Sequence, residues 1–193
     1  MSKKRIHGLG ASNHSDYERA KNDYYSTDPS AITLLDKHNL LDKDKNYFET
    51  AVGSGSLANQ LTKLGYNVTR TLDLIDRDYP NTIIGDFFEY NEQFNGSLIT
   101  NPPYKNINNW ILHSLDLASD KVYIFCRIQT LESYNRYNKI FKDNPPVWVC
   151  PFVKRVQCYR DDDHSFKSST ICYSWFIWDN KDNSNETRIK WLI

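Results

Sequence analysis

The stretch Tyr47-Phe48-Glu49-Thr50-Ala51-Val52-Gly53-Ser54-Gly55 (residues 47–55) decides the fold. Aromatic, β-branched and small residues run up to Gly53, which predicts a short buried strand that ends in a tight turn. Beyond the turn, apolar residues recur at helical spacing over residues 56–64. Strand, glycine turn and helix in this order are typical of the opening of a βαβ unit.

The rest of the chain continues this alternation. Further strands are predicted over residues 68–75, 82–87, 97–100, 122–128, 147–156 and 170–178, and further helices over residues 108–117 and 132–141. Because parallel strands need crossover connections, we expect an α/β fold with a mainly parallel sheet and helices on both faces. The last two strands are joined by a loop that contains Asp161-Asp162-Asp163 and no helix, so they are expected to be antiparallel.

The composition bounds the class of protein. Of the 193 residues, 24 are Lys or Arg and 24 are Asp or Glu. Hydrophobic residues make up 39% of the chain and aromatic residues 14%. This mixture is typical of one globular domain, and the zero net charge argues against a general polycation that coats nucleic acid. No apolar run approaches the roughly 18 residues that span a bilayer, so we expect a cytoplasmic protein with no membrane partner. Residues 1–15 are expected to form a flexible basic arm, and residues 16–193 a single domain.

The cysteines and histidines predict no metal site. The four cysteines contain no C-x-x-C pair, and the five histidines form no H-E-x-x-H motif or other set with metal-ligand spacing. The cysteines lie in apolar, β-branched surroundings, which predicts buried reduced thiols.

Glycine-rich or polar signatures follow four of the predicted strands, where ligands bind in an open parallel sheet. Gly53 and Gly55 would let the backbone approach a ligand closely, although a lone G-x-G also occurs in ordinary turns. Asp73, or its neighbour Asp76, stands where a carboxylate would accept hydrogen bonds from a ribose. The pair Asp86-Phe87 combines an acceptor for an adenine amino group with a ring that could cover the purine.

The fourth signature, Asn101-Pro102-Pro103-Tyr104, has the most specific chemistry. Two consecutive prolines end the strand and stiffen the loop. The Asn101 side chain and the Pro102 carbonyl offer two hydrogen-bond acceptors, and Tyr104 offers an exposed aromatic face. These are the groups that hold a planar amine; a rigid turn without such a function is the alternative.

In this order, the motifs resemble those of the S-adenosylmethionine-dependent amino-methyltransferases, and specifically the small phage-type DNA N6-adenine methyltransferases. The resemblance covers most of the chain. The stretches that carry it are residues 22–29, 49–55, 72–77, 85–87, 100–104, 173–178 and 189–193. Thr50 replaces the usual proline of the glycine loop, and Asp78 replaces a glycine common in the family.

The resemblance implies a Rossmann-like class I methyltransferase fold with a seven-stranded, mainly parallel sheet and an antiparallel C-terminal strand. It implies direct in-line transfer of the methyl group of S-adenosylmethionine to the N6 nitrogen of a flipped-out adenine in double-stranded DNA. It also implies a phage or prophage origin in a bacterial host cell and a link to restriction-modification. The implied cofactor-binding residues are Tyr25, Thr27, Glu49, Ala51, Gly53, Gly55, Asp73, Asp76, Asp86, Phe87 and Asn101, and the implied catalytic residues are Asn101, Pro102, Pro103 and Tyr104.

The charge is distributed unevenly along the chain. Residues 121–160 contain eight basic residues and two acidic ones. Such a segment could meet DNA phosphates, although clusters of solvated charge are common without that role. The DNA-contacting residues predicted on this ground are Lys3, Lys4, Arg5, Arg136, Lys139, Lys154, Arg155 and Arg160. A homodimer could supply a second DNA-contacting surface.

Three other functions share parts of the signature. Protein-glutamine methyltransferases hold an amide nitrogen with the same kind of loop, and some RNA guanine methyltransferases have a related one. A phage protein that binds the cofactor or DNA without turnover is the third. The intact loop at 101–104 and the aromatic stretch 173–178 favour the DNA enzyme.

Overall fold

A computed structural model describes residues 24–160, 162, 163, 165, 171–182 and 184–193. The predicted arm, with Lys3, Lys4 and Arg5, lies outside the described residues.

The described chain contains ten strands and four α-helices. In chain order they are β1 Tyr25–Thr27, α1 Ser30–Lys37, β2 Asn46–Glu49, α2 Ser56–Lys63, β3 Asn67–Asp73, β4 Ile83–Ile84, β5 Ser97–Thr100, α3 Ile107–Leu117, β6 Lys121–Arg127, α4 Tyr134–Arg136, β7 Trp148–Pro151, β8 Cys158–Arg160, β9 Tyr173–Asp179 and β10 Arg188–Ile189. Short 3-10 helices span Phe87–Glu89, Tyr104–Asn106 and Ile128–Leu131, and a π-helical turn spans Tyr137–Phe141. No helix in this part of the chain is long and apolar enough to cross a bilayer.

The main sheet follows the order β10-β7-β9-β6-β5-β2-β3-β4. Every neighbouring pair is parallel except the two that involve β9, which runs antiparallel to both β6 and β7. The predicted mainly parallel sheet is therefore confirmed, and β9 is the predicted antiparallel strand in the C-terminal part of the chain. The predicted number of seven strands was wrong. The eighth strand, β10, has only two residues, and its Ile189 is exposed, so no periodic pattern in the sequence announces it.

A second, two-stranded sheet was not predicted. It pairs β1 with β8 antiparallel, with Tyr25 opposite Arg160 and Thr27 opposite Cys158. The predicted strand over residues 147–156 ends at Pro151 in the structure. One further bridge joins Phe152 to Leu192, and the chain then leaves the main sheet to form β8. This small sheet brings a segment before the first helix next to a segment more than 130 residues later.

Two predicted elements are shorter or less regular than expected. The strand over 82–87 is reduced to Ile83–Ile84, because the Asp86 side chain accepts a hydrogen bond from Phe88 N–H and turns the chain into a 3-10 helix. The helix over 132–141 is replaced by α4 and the π-helical turn. Here the Arg136 guanidinium donates to the carbonyls of Thr130 and Glu132, so the chain curls around the arginine.

The core has two layers, one on each face of the main sheet. One layer packs α3, with Trp110 and Ile111, against Phe176 of β9. The other packs α1 and α2, with Leu35 and Leu61 fully buried, against the opposite face. Helices on both faces are therefore confirmed, and the carboxyl edge of the parallel strands stays open between the two layers.

Candidate active site

A cavity of about 540 Å³ lies at the carboxyl edge of β2, β3 and β5. A volume of this size accommodates a ligand of cofactor dimensions. The residues of its wall that the sequence predicted are Tyr25, Thr27, Glu49, Ala51, Gly53, Asp73, Asp86, Phe87, Asn101 and Pro103. The open sheet edge thus brings together strand ends that are far apart in sequence.

Four predicted residues are not part of this wall. They are Gly55, Asp76, Pro102 and Tyr104. Gly55 caps α2 in the left-handed conformation (φ 90°) and lies against the Tyr79 ring. Asp76 is exposed and accepts a hydrogen bond from Asp78 N–H, which makes it part of a local turn. Of the two rival aspartates, the structure therefore brings only Asp73 to the cavity.

The glycine turn is held by Asp73. Gly53 has a left-handed φ of 57°, and its N–H donates to Asp73 Oδ2 at 2.7 Å. The other carboxylate oxygen accepts from Ile75 N–H at 3.0 Å. A Cβ atom on Gly53 would lie 2.5 Å from the Tyr24 ring, so the close approach and the φ angle both require glycine.

Glu49 is the most deeply buried carboxyl group of the cavity wall, with 1% of its surface exposed. Its Oε2 has no hydrogen-bond partner within the described residues. Burial, and to a lesser extent the negative charge of Asp73, raises the pKa of Glu49 well above its usual range. A buried acceptor without a partner at a cavity wall is suited to a ligand that brings a donor.

The aromatic part of the wall differs from the sequence prediction. Phe87 is 1% exposed and stacks on Trp110, with ring centroids 4.7 Å apart. Trp110 also donates from its indole nitrogen to Thr50 Oγ1 at 3.3 Å. Phe88, which was not predicted, also lines the cavity and is only partly buried. The local pattern of two adjacent phenylalanines could not tell which ring would be more accessible.

Asn101 is fixed by three hydrogen bonds. Its Nδ2 donates to Tyr25 O at 3.0 Å and to Thr27 Oγ1 at 2.8 Å, both in β1. Because the Tyr25 carbonyl can only accept, the amide nitrogen must face β1, and Oδ1 points the other way as an acceptor. The Tyr104 hydroxyl donates to this Oδ1 at 2.7 Å.

Tyr104 is partly buried, whereas the sequence predicted an exposed ring. Its ring lies 6.2 Å from that of Tyr173, and the Arg127 guanidinium lies 5.5 Å from its centroid. Burial raises the pKa of the Tyr104 phenol well above its usual range, so the hydroxyl stays protonated and can donate. In this structure Tyr104 is therefore part of the support of Asn101.

Sequence reasoning missed one side of the cavity, where Arg77 and Tyr24 meet. The Arg77 guanidinium lies 3.8 Å from the Tyr24 ring centroid, and its buried Nε has no hydrogen-bond partner among the described residues. The Tyr24 hydroxyl donates to Asp162 Oδ2 at 2.7 Å and accepts from Ser54 N–H at 3.2 Å. Tyr24 lies in the stretch 22–29, which by the resemblance helps to wall the methionine end of the cofactor, and Arg77 lies in the stretch 72–77. Neither residue was predicted individually as a site residue.

The predicted DNA-contacting residues separate into different environments. Arg136 is partly buried and donates to Asn108 Oδ1 at 2.7 Å, in addition to its two carbonyl contacts. Lys139, Lys154 and Arg155 are exposed, and Arg160 is partly buried in β8.

The cysteines are all free, and three are partly or fully buried. Burial raises the pKa of the Cys126, Cys150 and Cys158 thiols to about 12. Cys172 is exposed, contrary to the expectation of buried thiols, because it precedes β9. No group of three or more His, Cys, Asp or Glu side chains in the described part of the chain could hold a metal ion.

The fold is that of methyltransferases of known structure. A type I restriction-modification methyltransferase subunit from Streptococcus thermophilus superposes with a TM-score of 0.63 and 12% identity, over 87% of this chain and 47% of that chain. A provisionally assigned RNA methyltransferase from Pyrococcus horikoshii gives 0.53 and 14%, over 78% and 82%. Magnesium protoporphyrin IX methyltransferase from Synechocystis, with bound S-adenosylhomocysteine, gives 0.52 and 12%, over 78% and 79%.

These identities show a shared fold and nothing more specific. No protein-family model matches the sequence, and the comparison with curated proteins finds no match.

Proposed function

We propose that this protein is an S-adenosylmethionine-dependent methyltransferase that modifies the N6 nitrogen of adenine in DNA. The observation that carries the proposal is the Asn101 amide at the wall of a cofactor-sized cavity, whose nitrogen is held by β1 and whose Oδ1 accepts, among the described residues, from the Tyr104 hydroxyl. The methyltransferase fold and the order of the strand-end motifs support it.

The cavity residues fit the polar groups of this cofactor. Asp73 stands at the end of β3, where its carboxylate can accept from a ribose hydroxyl while it holds Gly53. Glu49, with its unpartnered Oε2, suits the cofactor's ammonium group, which would also restore the charge of this carboxylate. Arg77, with its unpartnered Nε, suits the cofactor's carboxylate. Phe88 and Trp110 offer apolar surface for the adenine ring.

When bound, S-adenosylmethionine supplies an electrophilic methyl group. The nucleophile is an amino group whose lone pair is delocalised into the adenine ring. In our proposal Asn101 Oδ1 and the Pro102 carbonyl accept its two hydrogens, which raises the electron density on nitrogen and orients it in line. The loop is stiff because of its prolines and because β1 holds the Asn101 amide, so both acceptors keep their positions.

Tyr104 has two parts to its proposed role. Its hydroxyl holds the Asn101 amide, and its ring stacks on the target base after the base has left the duplex, which offsets part of the cost of unstacking. A direct transfer needs no covalent intermediate on the protein. The high pKa of the buried thiols is consistent with this, since none of them is a ready nucleophile.

Incubation of the purified protein with methyl-labelled S-adenosylmethionine and adenine-containing duplex DNA tests the proposal. Label should appear in N6-methyladenine, and the Asn101→Ala variant should incorporate far less of it in the same time. Label that appears in RNA or in protein glutamine would identify that molecule as the substrate in place of DNA. Cofactor binding without label in any of these would favour the non-catalytic alternative.

A further inference from the structure

Three large apolar side chains protrude from the chain after β6. They are Leu131, Tyr134 and Tyr137, and they are 44%, 85% and 54% exposed. We call them the tyrosine ridge. Their spacing is three residues, and Tyr134 and Tyr137 are neighbours on one side of the helical turn formed by α4 and the residues after it. Clustered exposed apolar side chains of this size are typical of binding surfaces.

The ridge is held next to the proposed catalytic loop. The Arg136 side chain, which lies between the two tyrosines in sequence, donates to Asn108 Oδ1 at 2.7 Å. Asn108 is in the first turn of α3, directly after the 3-10 helix that contains Tyr104. On the other side, Ile140 is fully buried in the core. These two contacts fix the backbone and leave the tyrosine rings outside.

The surroundings of the ridge favour a polyanionic partner. Lys139 and Lys142 are exposed, and neither forms a salt bridge with any residue that the structure describes. Residues 131–143 contain three basic residues, Arg136, Lys139 and Lys142, against Glu132 and Asp143, and the segment 121–160 as a whole has eight basic and two acidic residues. Exposed aromatic rings with lysines beside them suit nucleic acid, because the rings stack on bases and the ammonium groups meet phosphates.

We propose that the tyrosine ridge contacts the DNA bases that flank the target adenine, with Tyr134 and Tyr137 stacking on bases exposed when the target is flipped out. This inference rests on the proposed function and names the surface by which the substrate is held. It also changes the predicted role of Arg136, which becomes the anchor of the ridge, while Lys139 and Lys142 take the phosphates.

The test compares the double variant Tyr134→Ala/Tyr137→Ala with Tyr134→Phe/Tyr137→Phe and with Trp191→Ala. Trp191 is a similarly exposed aromatic residue, 58% exposed, next to the edge strand β10. DNA affinity is measured by fluorescence anisotropy with a duplex, without turnover, and KM for DNA is measured separately. The double alanine variant should weaken DNA binding by about tenfold or more, because aromatic stacking is lost. The phenylalanine variant and Trp191→Ala should bind like the wild type.

Other readouts separate this inference from the proposed function. Affinity for S-adenosylmethionine and the melting temperature should be unchanged in the double alanine variant, since exposed side chains contribute little to the fold. Wild-type protein that binds DNA through the ridge but transfers no methyl group would contradict the proposed function and support the ridge. Unchanged DNA affinity and KM in the double alanine variant would contradict the proposal that the tyrosine ridge contacts DNA. A change in the sedimentation of that variant would identify the ridge as a contact between copies of the chain and would also contradict the proposal.

Discussion

At the carboxyl edge of β2, β3 and β5, short loops leave regular strands, and the glycine turn and the Asn101 amide have defined partners. Gly53 is held by Asp73, and Asn101 by β1 and Tyr104. In the neighbouring crossover between β6 and β7, the chain passes through a 3-10 helix, the three-residue α4 and a π-helical turn. The crossover leaves the tyrosine ridge exposed.

This difference follows from how each region is anchored. The hydrogen-bonded ladder of the sheet fixes the positions of the strand ends. The polar groups that follow these strands are therefore placed with the accuracy that methyl transfer needs. The crossover is held at a few points, chiefly by Arg136 and by the buried Ile140. We infer that the carboxyl edge of the sheet carries out the proposed methyl transfer and that the crossover contacts the proposed DNA substrate.

The sharpest contrast is expected from Asn101→Ala. Removal of the amide acceptor should lower the rate of methyl transfer by at least about 10²–10³-fold, because the transition state loses an oriented hydrogen bond. Affinity for S-adenosylmethionine, measured by calorimetry, should change little. Asn109→Ala, at an exposed position of α3, is the matched control and should keep full activity. Loss of cofactor affinity in the Asn101 variant would mean that the residue belongs to the cofactor site alone.

Asp73→Ala tests the part of the edge that holds the glycine turn. The Gly53 and Ile75 N–H groups lose their charged acceptor, which costs on the order of 1.5–3 kcal/mol per hydrogen bond. Cofactor affinity should fall about tenfold or more, with a lower melting temperature. The exposed Asp76→Ala should leave the cofactor affinity unchanged. Equal losses in the two variants would show that Asp76 also reaches the cofactor.

Arg136→Ala should separate the crossover from the edge. Three hydrogen bonds from its guanidinium disappear, and we expect the free energy of unfolding to fall by about 1–3 kcal/mol. KM for DNA should rise while cofactor affinity stays constant, because the edge does not depend on the crossover. Lys139→Ala should leave stability unchanged and weaken DNA binding only at low salt. A fall in cofactor affinity with Arg136→Ala would contradict the independence of the two regions.

Tyr104→Phe removes only the hydroxyl that donates to Asn101 Oδ1. A neutral hydrogen bond of this kind contributes about 0.5–1.5 kcal/mol, so kcat should fall severalfold. Tyr104→Ala should lower kcat further, because the ring is lost as well. If the two variants have the same activity, stacking by the ring contributes nothing to transfer.

The smallest effect concerns the thiols. At pH 8 a thiol reagent should label Cys172 rapidly and the other three cysteines slowly, since their thiols are protonated below about pH 12. A pKa raised in the folded state adds stability below the ordinary thiol pKa, and this stability is lost as the pH rises toward 12. The free energy of unfolding should therefore decrease above about pH 9. Rapid modification of more than one thiol in native protein would show that the core opens.

The sequence by itself determined the parallel alternation, the glycine turn and the loop at 101–104. These depend on local properties: β-branched and aromatic runs, the φ angles open to glycine, and the stiffness of two prolines. The sequence also determined the edge of the sheet at which the cavity lies, because the carboxyl ends of parallel strands meet on one side of a sheet.

Only the tertiary structure decided which side chains were available. Nothing in the sequence shows that the side chains of Tyr104 and Arg136 have partners. In the structure, the Tyr104 ring lies beside the Arg127 guanidinium. The Arg136 guanidinium is held by Asn108 and two backbone carbonyls. The pairing of β1 with β8 joins segments more than 130 residues apart, and it carries the Tyr25 carbonyl that orients Asn101. Such contacts depend on how distant parts of the chain pack, so no local pattern could reveal them.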